Sequence, residues 1–246
     1  RPRFPLPPSM HIPAFLTPDE AAALVPDRAR LAFTGFSSVG IAEAVTDGLI
    51  RRKHATGSPV ELTVYHAAGH STGWGFDRLA AEGMLAKVIG GHWGLMHSLR
   101  EKMMANEIEA HNWPQGMLVR AFREMARGNP WGFISHIGLG TYIDPRLCGG
   151  CMNEKARATG PLIRHEQAPD GSDVLRYPPL PVDFSVIRAW KADAVGNVAL
   201  GLEALSLSQL EIALAAKAQG GKVICQVRER DESRCFSAPE IAVPGC

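Results

Sequence analysis

Residues 112–146 read NWPQGMLVRAFREMARGNPWGFISHIGLGTYIDPR, and this stretch carries the clearest local signals in the chain. A tight loop over Trp113–Gly116 is followed by a predicted helix. The apolar residues of this helix recur at i, i+3, i+4 and i+7, so they form one buried stripe: Leu118, Ala121, Phe122 and Met125. Gly128-Asn129-Pro130 predicts the end of the helix, because proline cannot continue it and glycine and asparagine tolerate a left-handed turn.

The second part of this stretch is short, apolar and β-prone. Trp131–Ile137 is predicted to be a strand, and Gly138-Leu139-Gly140-Thr141 is the loop that ends it. The order is therefore loop, helix, strand and loop, with glycine in both loops. Glycine lets a backbone approach a ligand or another segment closely, but two ordinary turns of an α/β domain explain the same residues and are the commoner case.

The residues before this stretch predict strands that alternate with helices. Strands over Leu31–Phe33, Glu61–His66 and Lys87–Ile89 each run into a glycine-containing loop. Such alternation is typical of βαβ units, so the predicted fold class is α/β, with an open, mostly parallel sheet flanked by helices. Ligands of such sheets bind outside the carboxyl ends of the strands. We therefore expect the glycine loops to gather on one edge of the sheet.

The loop from Thr34 to Gly40 lies between the first strand and a helix predicted to carry Ile41, Val45 and Leu49 on one face. A loop of this kind presents backbone N–H groups and a helix N-terminus to a ligand, often an anion. Neither GxGxxG nor GxxxxGK[ST] is present, so the loop is not a nucleotide fingerprint. A plain βα turn is about as good an interpretation on spacing alone.

The chain is predicted to form one main domain over residues 17–246. An N-terminal extension over residues 1–16 precedes it, in which Met10 is a candidate natural start. Residues 147–180 are rich in Gly, Pro, Asp and Arg and lack long periodicity, so they predict an irregular insertion with short strands, such as Val174–Tyr177, and not a separate domain.

Several helix and strand boundaries have local signals of their own. Capping boxes predict helices that begin after Thr17 and Ser208, because each residue is followed three positions later by glutamate. Val223–Val227 is expected to be a last central strand of the sheet.

Composition argues against several classes of protein. The chain has 246 residues, 46% of them hydrophobic, and a formal net charge of +1 with both signs interspersed, which gives no electrostatic case for nucleic acid or an anionic membrane. No apolar run approaches the ~18 residues of a transmembrane helix. The N-terminal RPRFPLPPSMHIPAF lacks the apolar region of a signal peptide. Five cysteines in no paired pattern favour a cytoplasmic protein.

Cysteine and histidine offer candidate metal or redox sites. Cys148-Gly149-Gly150-Cys151 is a CxxC sequence, which occurs in zinc sites and redox pairs. No second CxxC or HxxxH has suitable spacing, so a structural or incidental role is the preferred interpretation and no metal site is predicted. His66 and His70 are four residues apart but lie in a strand and a loop, where helical pairing does not apply. The GxSxG of a serine nucleophile is absent.

Gln115 is the best single candidate for a catalytic residue. Pro114 and Gly116 fix its backbone just before a helix, and its side-chain amide can donate a hydrogen bond to a developing oxyanion. On chemistry alone, a solvent-exposed loop glutamine is the preferred interpretation.

Taken in series, the motifs resemble the N-terminal half of the family I CoA-transferases. PQG, the helix after it and GLGTYIDPR carry the likeness within residues 112–146. The likeness is strongest to the propionate/acetate CoA-transferase branch, with succinyl-CoA:3-ketoacid CoA-transferase a more distant relative, and it runs from about Thr17 to about Gly245. Its other motifs are Thr34-Gly35-Phe36 with Gly40, His70 to Gly75, Gly90-Gly91-His92-Trp93-Gly94 and Gly220-Gly221-Lys222-Val223-Ile224.

The resemblance implies ping-pong covalent catalysis. A glutamate attacks an acyl-CoA thioester, an acyl-glutamyl anhydride and then a glutamyl-CoA thioester form, and a second carboxylate collects the CoA. It implies that Gln115 helps to form the oxyanion hole. It also implies that coenzyme A is a substrate and that no cofactor is permanently bound. The substrate-binding residues implied are in the glycine loops: Gly35, Phe36, Gly40, Gly116, Gly138 and Gly140.

The chain departs from the family pattern at three points. Thr34 and Ala42 stand where the family has the first glycine of Gly-Gly-Phe and the proline of Gly-x-Pro, so the shape of that loop is open. The third departure is the nucleophile, which the family places in a Glu-(Asn/Ser)-Gly motif of its C-terminal half. No glutamate here is followed by Asn-Gly or Ser-Gly.

The missing glutamate implies that the chain resembles an α half. We expect it to be inactive without a β subunit or C-terminal half that carries the glutamate, to present an apolar face to that partner, and to form an oligomer. Acetate or propionate as substrates follow from the branch resemblance alone. The end at Val243-Pro244-Gly245-Cys246 favours a fragment of a fused enzyme over a separately encoded subunit.

Two alternatives of other classes stay open. A non-enzymatic module that binds CoA or a nucleotide fits the departures at Thr34 and Ala42, although the retained PQG and GLGT argue against it. A sugar-phosphate isomerase shares the broad fold, but it needs acid and base carboxylates in a glycine-rich loop, and no convincing set is found.

Overall fold

The structure is a computed structural model that describes residues 13–231 and 235–245. Most of the predicted N-terminal extension, including Met10, lies outside the described residues, as does Cys246. Within the described part of that extension, the Phe15 ring packs against the core and lies 3.7 Å below the Arg230 guanidinium.

The strands form two separate sheets. In chain order they are β1 (Arg30–Phe33), β2 (Leu62–His66), β3 (Leu85–Gly90), β4 (Glu109–Asn112), β5 (Phe133–Ser135), β6 (Arg164–Gln167), β7 (Asp173–Tyr177), β8 (Phe184–Asp193), β9 (Val198–Ala199) and β10 (Lys222–Asp231). The main sheet has seven strands in the order β10-β8-β1-β2-β3-β4, and β9 pairs with β8. Its pairs are parallel except β8 with β9. The predicted α/β class with a mostly parallel sheet is therefore confirmed.

Helices cover both faces of the main sheet. They are α1 (Pro18–Ala23), α2 (Glu43–Thr56), α3 (Phe76–Ala81), α4 (His97–Met104), α5 (Gln115–Ala126), α6 (Glu154–Thr159) and α7 (Gln209–Ala218), with a 3-10 turn at Ala238–Glu240. Side chains of α1 to α4 share one buried cluster with Leu31 and Phe33 of β1, whereas α5 and α7 share the other with Ala32. Successive residues of a strand point to opposite faces, so β1 is covered on both.

The buried stripe predicted for the helix after Gln115 is confirmed. Leu118, Ala121, Phe122 and Met125 are the buried residues of α5. Gly128 follows the helix in a left-handed conformation, with φ of 72°. The spacing of the apolar residues was a sufficient signal because one face of the helix packs on the sheet and the other faces solvent.

Both helices predicted from capping boxes begin where expected, directly after Thr17 and Ser208, but only the capping box at Thr17 is formed. The Thr17 hydroxyl accepts a hydrogen bond from Glu20 N at 3.3 Å, and the Glu20 carboxylate accepts one from Thr17 N at 2.8 Å. Ser208 precedes α7 with φ of 64° and caps nothing with its side chain. There the side-chain oxygen of Gln209, Oε1, accepts a hydrogen bond from Leu207 N instead.

The smaller sheet is antiparallel, in the order β5-β7-β6. It contains the strand predicted at Val174–Tyr177. Its first strand, β5, begins at Phe133, ahead of residue 147, and is shorter than the predicted Trp131–Ile137. Trp131 is 78% exposed because it lies before the strand. The domain boundaries at residues 17, 147 and 180 stay predictions.

The expectation that Val223–Val227 is central in the sheet is wrong. The strand is β10, and it lies at the edge of the main sheet with β8 as its neighbour. None of the helices in residues 13–231 and 235–245 combines the length and the apolar character needed to cross a bilayer.

Candidate functional site

The loops that follow β1, β2, β3 and β4 lie together at the carboxyl edge of the main sheet. Hydrogen bonds join them: Ser37 N donates to Gly69 O at 2.9 Å, Gly91 N donates to His66 O at 3.1 Å, and Trp113 N donates to Gly90 O at 3.0 Å. The four strands are parallel neighbours, so their carboxyl ends coincide. The expectation that the glycine loops gather on one edge is confirmed for the loops after β1, β2, β3 and β4, whereas the loop at Gly138 follows β5 of the smaller sheet.

His70 joins the loops after β1 and β2. It is fully buried, its Nε2–H donates to the Thr34 carbonyl at 3.0 Å, and its Nδ1 accepts from Phe76 N at 3.3 Å. Burial lowers the pKa of His70 to about 4. Burial also lowers the pKa of His66, whose ring centroid lies 4.5 Å away. Both rings are therefore neutral near pH 7. The two hydrogen bonds of the neutral His70 ring hold the loops after β1 and β2 together.

Gly35 and Gly40 have conformational and packing reasons to be glycine. Gly35 has φ of +127°, and a Cβ there would lie 2.4 Å from His70 Nε2. Gly40 has φ of +67°, and a Cβ there would lie 2.8 Å from Leu207 Cδ1. Phe36, between them, is exposed. The substrate-binding roles of these three residues stay predictions.

The N-terminus of α2 is already engaged by the protein. Ala44 N donates to the Gln226 carboxamide at 2.9 Å, and the Glu43 carboxylate accepts from Gly75 N and pairs with Arg78 at 2.8 Å. The helix begins at Glu43, so Ile41 precedes it although its side chain is buried. These contacts favour the plain βα turn over an anion site at this helix.

Gln115 and Gly116 are the first residues of α5, not part of the loop before it. The helix begins directly after Pro114, which provides no side-chain cap. The two residues are exposed. Among the residues that the structure describes, no hydrogen bond engages the Gln115 carboxamide, and the first N–H groups of a helix have no intrahelical partner.

The Gln115 side chain lies against the loop after β3. A Cβ at Gly91 would lie 2.4 Å from Gln115 Cγ and 3.1 Å from its Cα, so Gly91 is required for this approach. A Cβ at Gly116 would meet nothing within 4 Å. The side-chain amide thus lies at the carboxyl edge beside the first turn of α5, in which Met117 N already donates to Pro114 O at 2.8 Å. The amide and the backbone N–H groups of Gln115 and Gly116 can donate to an anion or an oxyanion there.

Gly138 and Gly140 lie on the side of the smaller sheet. A Cβ at Gly138 would lie 2.9 Å from Leu175 Cδ1 and from the Tyr177 hydroxyl. Gly140 N donates to the Asp144 carboxylate at 3.0 Å. Their contacts are with this segment and not with Gln115, so their predicted roles in binding stay predictions.

A groove of about 490 Å³ opens between the loop after β3 and the segment that includes Tyr142 and Met152. The Tyr142 hydroxyl donates to Asn112 Oδ1, and both residues line the groove. The lining residues combine apolar side chains with few polar groups: Gly91, His92, Trp93, Gly94, Arg100, Met103, Met104, Asn112, Tyr142 and Met152. Gly91 lines this groove and also lies against Gln115, so the groove is continuous with the surface around Gln115.

Sequence reasoning missed Asn112 and Tyr142 as groove residues. Both lie within residues 112–146, but no periodic pattern relates two side chains that are 30 positions apart. The predicted loop begins at Trp113, and Asn112 is the last residue of β4 before it. Within residues 13–231 and 235–245, no cluster of three or more His, Cys, Asp or Glu side chains is arranged to hold a metal ion.

Comparison with a model of the family described as coenzyme A transferase gives a match over residues 15–245. The chain belongs to the coenzyme A transferase family. The predicted family resemblance is confirmed, since the match covers almost the whole chain.

The names of similar proteins in the family refer to different carboxylic acids. This chain is 32% identical over 233 residues to caffeate CoA-transferase of Acetobacterium woodii and 33% identical over 234 residues to acetate CoA-transferase YdiF of Escherichia coli strain K12. Each alignment covers 94% of this chain but only 44% and 43% of those enzymes. One subunit of a Xanthomonas campestris succinyl-CoA:3-ketoacid coenzyme A transferase is 28% identical, with 91% of this chain and 81% of that subunit covered.

Solved structures show the same fold. The acyl-CoA transferase YdiF of Escherichia coli O157:H7, solved as a thioester complex with CoA, superposes with a TM-score of 0.89 at 30% identity, covering 96% of this chain and 48% of that one. Glutaconate coenzyme A-transferase of Acidaminococcus fermentans superposes with a TM-score of 0.75 at 21% identity, covering 94% and 72% of the two chains. The second likeness shows the fold alone.

Proposed function

We propose that this chain is the α half of a CoA-transferase that moves CoA between a short-chain acyl-CoA and a carboxylate. The reaction is ping-pong and passes through a glutamyl-CoA thioester whose glutamate belongs to another polypeptide segment. Coenzyme A is a substrate in this proposal, and no permanently bound cofactor takes part.

The observation that carries this proposal is the unengaged donor group at the carboxyl edge. The Gln115 carboxamide is exposed, is free of hydrogen bonds to other described residues, and is set against Gly91 at the start of a 12-residue helix. A structural glutamine would bond its amide to neighbouring groups, as Gln219 does to Ala215 O at 2.8 Å. A hydrogen-bond donor that has no partner among the described residues, at the carboxyl edge of the sheet, is available to a ligand.

The chemistry needs such a donor at each step. A carboxylate oxygen attacks the thioester carbonyl carbon, the C–S bond breaks, and the thiolate of CoA leaves with an acyl-glutamyl anhydride behind it. The thiolate then attacks the glutamyl carbonyl and releases the first carboxylate. Each attack places negative charge on a former carbonyl oxygen, and fixed N–H donors stabilise that charge without reorganising. Gln115 Nε2 has this role in our proposal.

The nucleophilic glutamate is assigned to a partner on two grounds. No glutamate in the 246 residues is followed by Asn-Gly or Ser-Gly. The chain also spans less than half of the caffeate and acetate enzymes but 81% of the single subunit from Xanthomonas campestris, a length that fits one half of the transferase. The partner is therefore a β subunit or a C-terminal half, and the assembly is an oligomer.

The partner is proposed to cover the carboxyl edge, because its glutamate must reach Gln115. The loops after β1, β2 and β3 each expose a large apolar side chain, Phe36, Trp74 and Leu95 respectively. Apolar side chains at the rim of a polar site are typical of a protein interface. This face fits the expectation of an apolar surface toward the partner.

Co-expression with the polypeptide encoded downstream, chosen for its Glu-(Asn/Ser)-Gly motif, tests the proposal. We expect exchange of CoA between acetyl-CoA and propionate by the pair and none by either chain alone. Mass spectrometry should find a hydroxylamine-sensitive CoA adduct on the partner and not on this chain.

Gln115→Ala in the pair should lower kcat by about 10²–10³. The matched control is Gln167→Ala, because Gln167 is also an exposed glutamine but lies on β6 of the smaller sheet. The control should change kcat less than about 2-fold, as surface substitutions away from a site usually do. Transfer of CoA by the lone chain contradicts the placement of the nucleophile. An inactive pair whose α half still binds CoA favours a non-enzymatic binding module.

A further inference from the structure

Residues 148–151 form a tight turn with a cysteine at each end. Cys151 N donates to Cys148 O at 3.1 Å, which closes a four-residue β-turn. Gly149 and Gly150 have φ of 61° and 71°, the left-handed conformation that a type I′ turn requires. The first and fourth Cα atoms of a β-turn are less than ~7 Å apart, and disulfides span ~4.4–6.8 Å between Cα atoms. Both cysteines are free thiols.

The Cys151 thiol faces a histidine. Cys151 Sγ lies 3.9 Å from His111 Nδ1, and His111 Nε2 lies 2.6 Å from Glu109 Oε1. The carboxylate can only accept, so Nε2 carries the proton and the lone pair of Nδ1 points at the thiol. Burial lowers the pKa of His111 and outweighs the hydrogen bond to Glu109, which raises it, while Lys87, which pairs with Glu109 at 2.8 Å, lowers it further. His111 is therefore neutral and able to accept a proton.

The two thiols differ in access. Cys148 is exposed, whereas Cys151 is buried and burial raises the pKa of its thiol. A solute reaches Cys148 first, and Cys151 reacts only when its proton has somewhere to go. We propose that Cys148 and Cys151 are a redox-active pair that closes to a reversible disulfide when the protein meets a hydroperoxide, with His111 as the base for Cys151.

The steps balance with hydroperoxide as the oxidant. The sulfur of Cys148 attacks one peroxide oxygen, the O–O bond breaks, and Cys148 becomes a sulfenic acid as the other oxygen leaves as water or an alcohol. Cys151 then gives its proton to His111 Nδ1 and attacks the Cys148 sulfur. The S–S bond forms, the S–O bond breaks, and the departing hydroxide takes the proton from His111 and leaves as water.

The turn is held in place at the end of β4. Gly150 N donates to Tyr142 O at 2.9 Å, and Gly150 O accepts from Asn112 N at 2.8 Å. Cys151 also forms an antiparallel bridge with His111, so thiol and base come from adjacent backbones. The CxxC sequence alone does not indicate this arrangement, which is why it favoured an incidental role.

The test uses the full chain with Cys225, Cys235 and Cys246 replaced by serine, so that only the pair remains. After hydrogen peroxide and alkylation, we expect the chain to lose two hydrogen atoms in mass and to take up no alkylating group, with dithiothreitol restoring both thiols. Cys151→Ser in this background should stop at a sulfenic acid on Cys148 that dimedone traps. Two alkylatable thiols after peroxide, or over-oxidation of Cys148 without an S–S bond, would overturn the proposal.

His111→Gln tests the base separately. The glutamine amide can still donate to Glu109, but it is not a base toward Cys151. We expect closure to slow by about 10²-fold, while the rate of sulfenic acid formation, measured with Cys151→Ser, stays the same. Equal rates of disulfide formation in the wild type and in His111→Gln would contradict the role of His111 as the base for Cys151. A variant that also changed the first step would show a structural effect only.

Discussion

Two neighbouring parts of the carboxyl edge differ in how their polar groups are used. In the closed loops, residues 34–43 and 67–76, the His70 ring bonds to Thr34 O and Phe76 N, and the Glu43 carboxylate accepts from Gly75 N. In the open surface, which we define as Gln115, Gly116 and the groove beside Gly91, the Gln115 amide has no partner among the described residues. The polar groups of the closed loops therefore stabilise the fold, whereas the open surface has hydrogen-bond donors that are available to a ligand.

This difference predicts where a substitution should reduce stability and where it should reduce activity. Buried hydrogen-bonded groups with close backbone packing contribute to folding, because their removal leaves an unpaired polar group or a clash. Exposed donors contribute little to folding and much to a charged transition state. Stability and activity should therefore respond differently to changes in the two parts.

Gly75→Ala should destabilise the chain by about 2–5 kcal/mol, the sum of a left-handed conformation and overpacking. Gly75 has φ of +52°, and a Cβ there would lie 2.0 Å from His70 Nδ1. Gly73→Ala is the matched control, because Gly73 has φ of +74° and open space around its Cβ position. Its loss should be only about 1–2 kcal/mol. Urea unfolding measures both, and equal losses would contradict the packing role of His70.

Acid should weaken the closed loops before it affects the open surface. Burial lowers the pKa of His70 to about 4 in the folded chain, whereas the pKa of an unfolded histidine is near 6.5. Between these values the unfolded chain binds the extra proton, so stability is lost as pH falls from about 6.5 to about 4. The loss from His70 should approach about 3 kcal/mol. Urea midpoints across this range in wild type and His70→Gln measure it, and an unchanged slope in the variant would contradict it.

Tyr142→Phe should cost about 1 kcal/mol, the usual net contribution of one hydrogen bond. The hydroxyl that is lost donates to Asn112 Oδ1, and both residues line the groove. A double-mutant cycle with Asn112→Ala separates this bond from other effects of each change. If the two losses simply add, the bond contributes nothing to stability.

Gln115→Ala should be the smallest change in stability, within about 0.5 kcal/mol of wild type, although it is expected to remove most activity of the pair. Its side chain is exposed and makes no hydrogen bond to the described residues. Thermal unfolding of the lone chain measures it. A loss of several kcal/mol would make Gln115 a structural residue and would weaken its role as an oxyanion donor.

Much of the fold was predictable because its signals are local. The stripe of α5, the capping box at Thr17 and the alternation of strands with helices all depend on residues a few positions apart. At Ser208 the same kind of signal predicted the start of α7 correctly but not its cap, because the backbone there is left-handed and the neighbouring Gln209 side chain engages Leu207 N. It also failed for β10, because an apolar run does not reveal whether a strand has one neighbour or two.

The candidate site was only partly predictable. The glycine loops and Gln115 were found, since strand ends and a Pro-Gln-Gly sequence mark them. The functions assigned to the loop residues stay predictions: Gly35, Phe36, Gly40, Gly116, Gly138 and Gly140. The pairing of Tyr142 with Asn112 and of Cys151 with His111 joins residues 30 and 40 positions apart, and no spacing rule indicates such contacts.

The sequence by itself determined the α/β class, the family and the identity of the exposed glutamine, because these depend on patterns and motifs within short stretches. Only the tertiary structure decided that Gly91 lies against Gln115, that His70 closes two loops and that Cys151 faces a base. Those contacts arise where parallel strands end side by side, and the order of strands in a sheet is set by packing of the whole chain and not by any one segment of it.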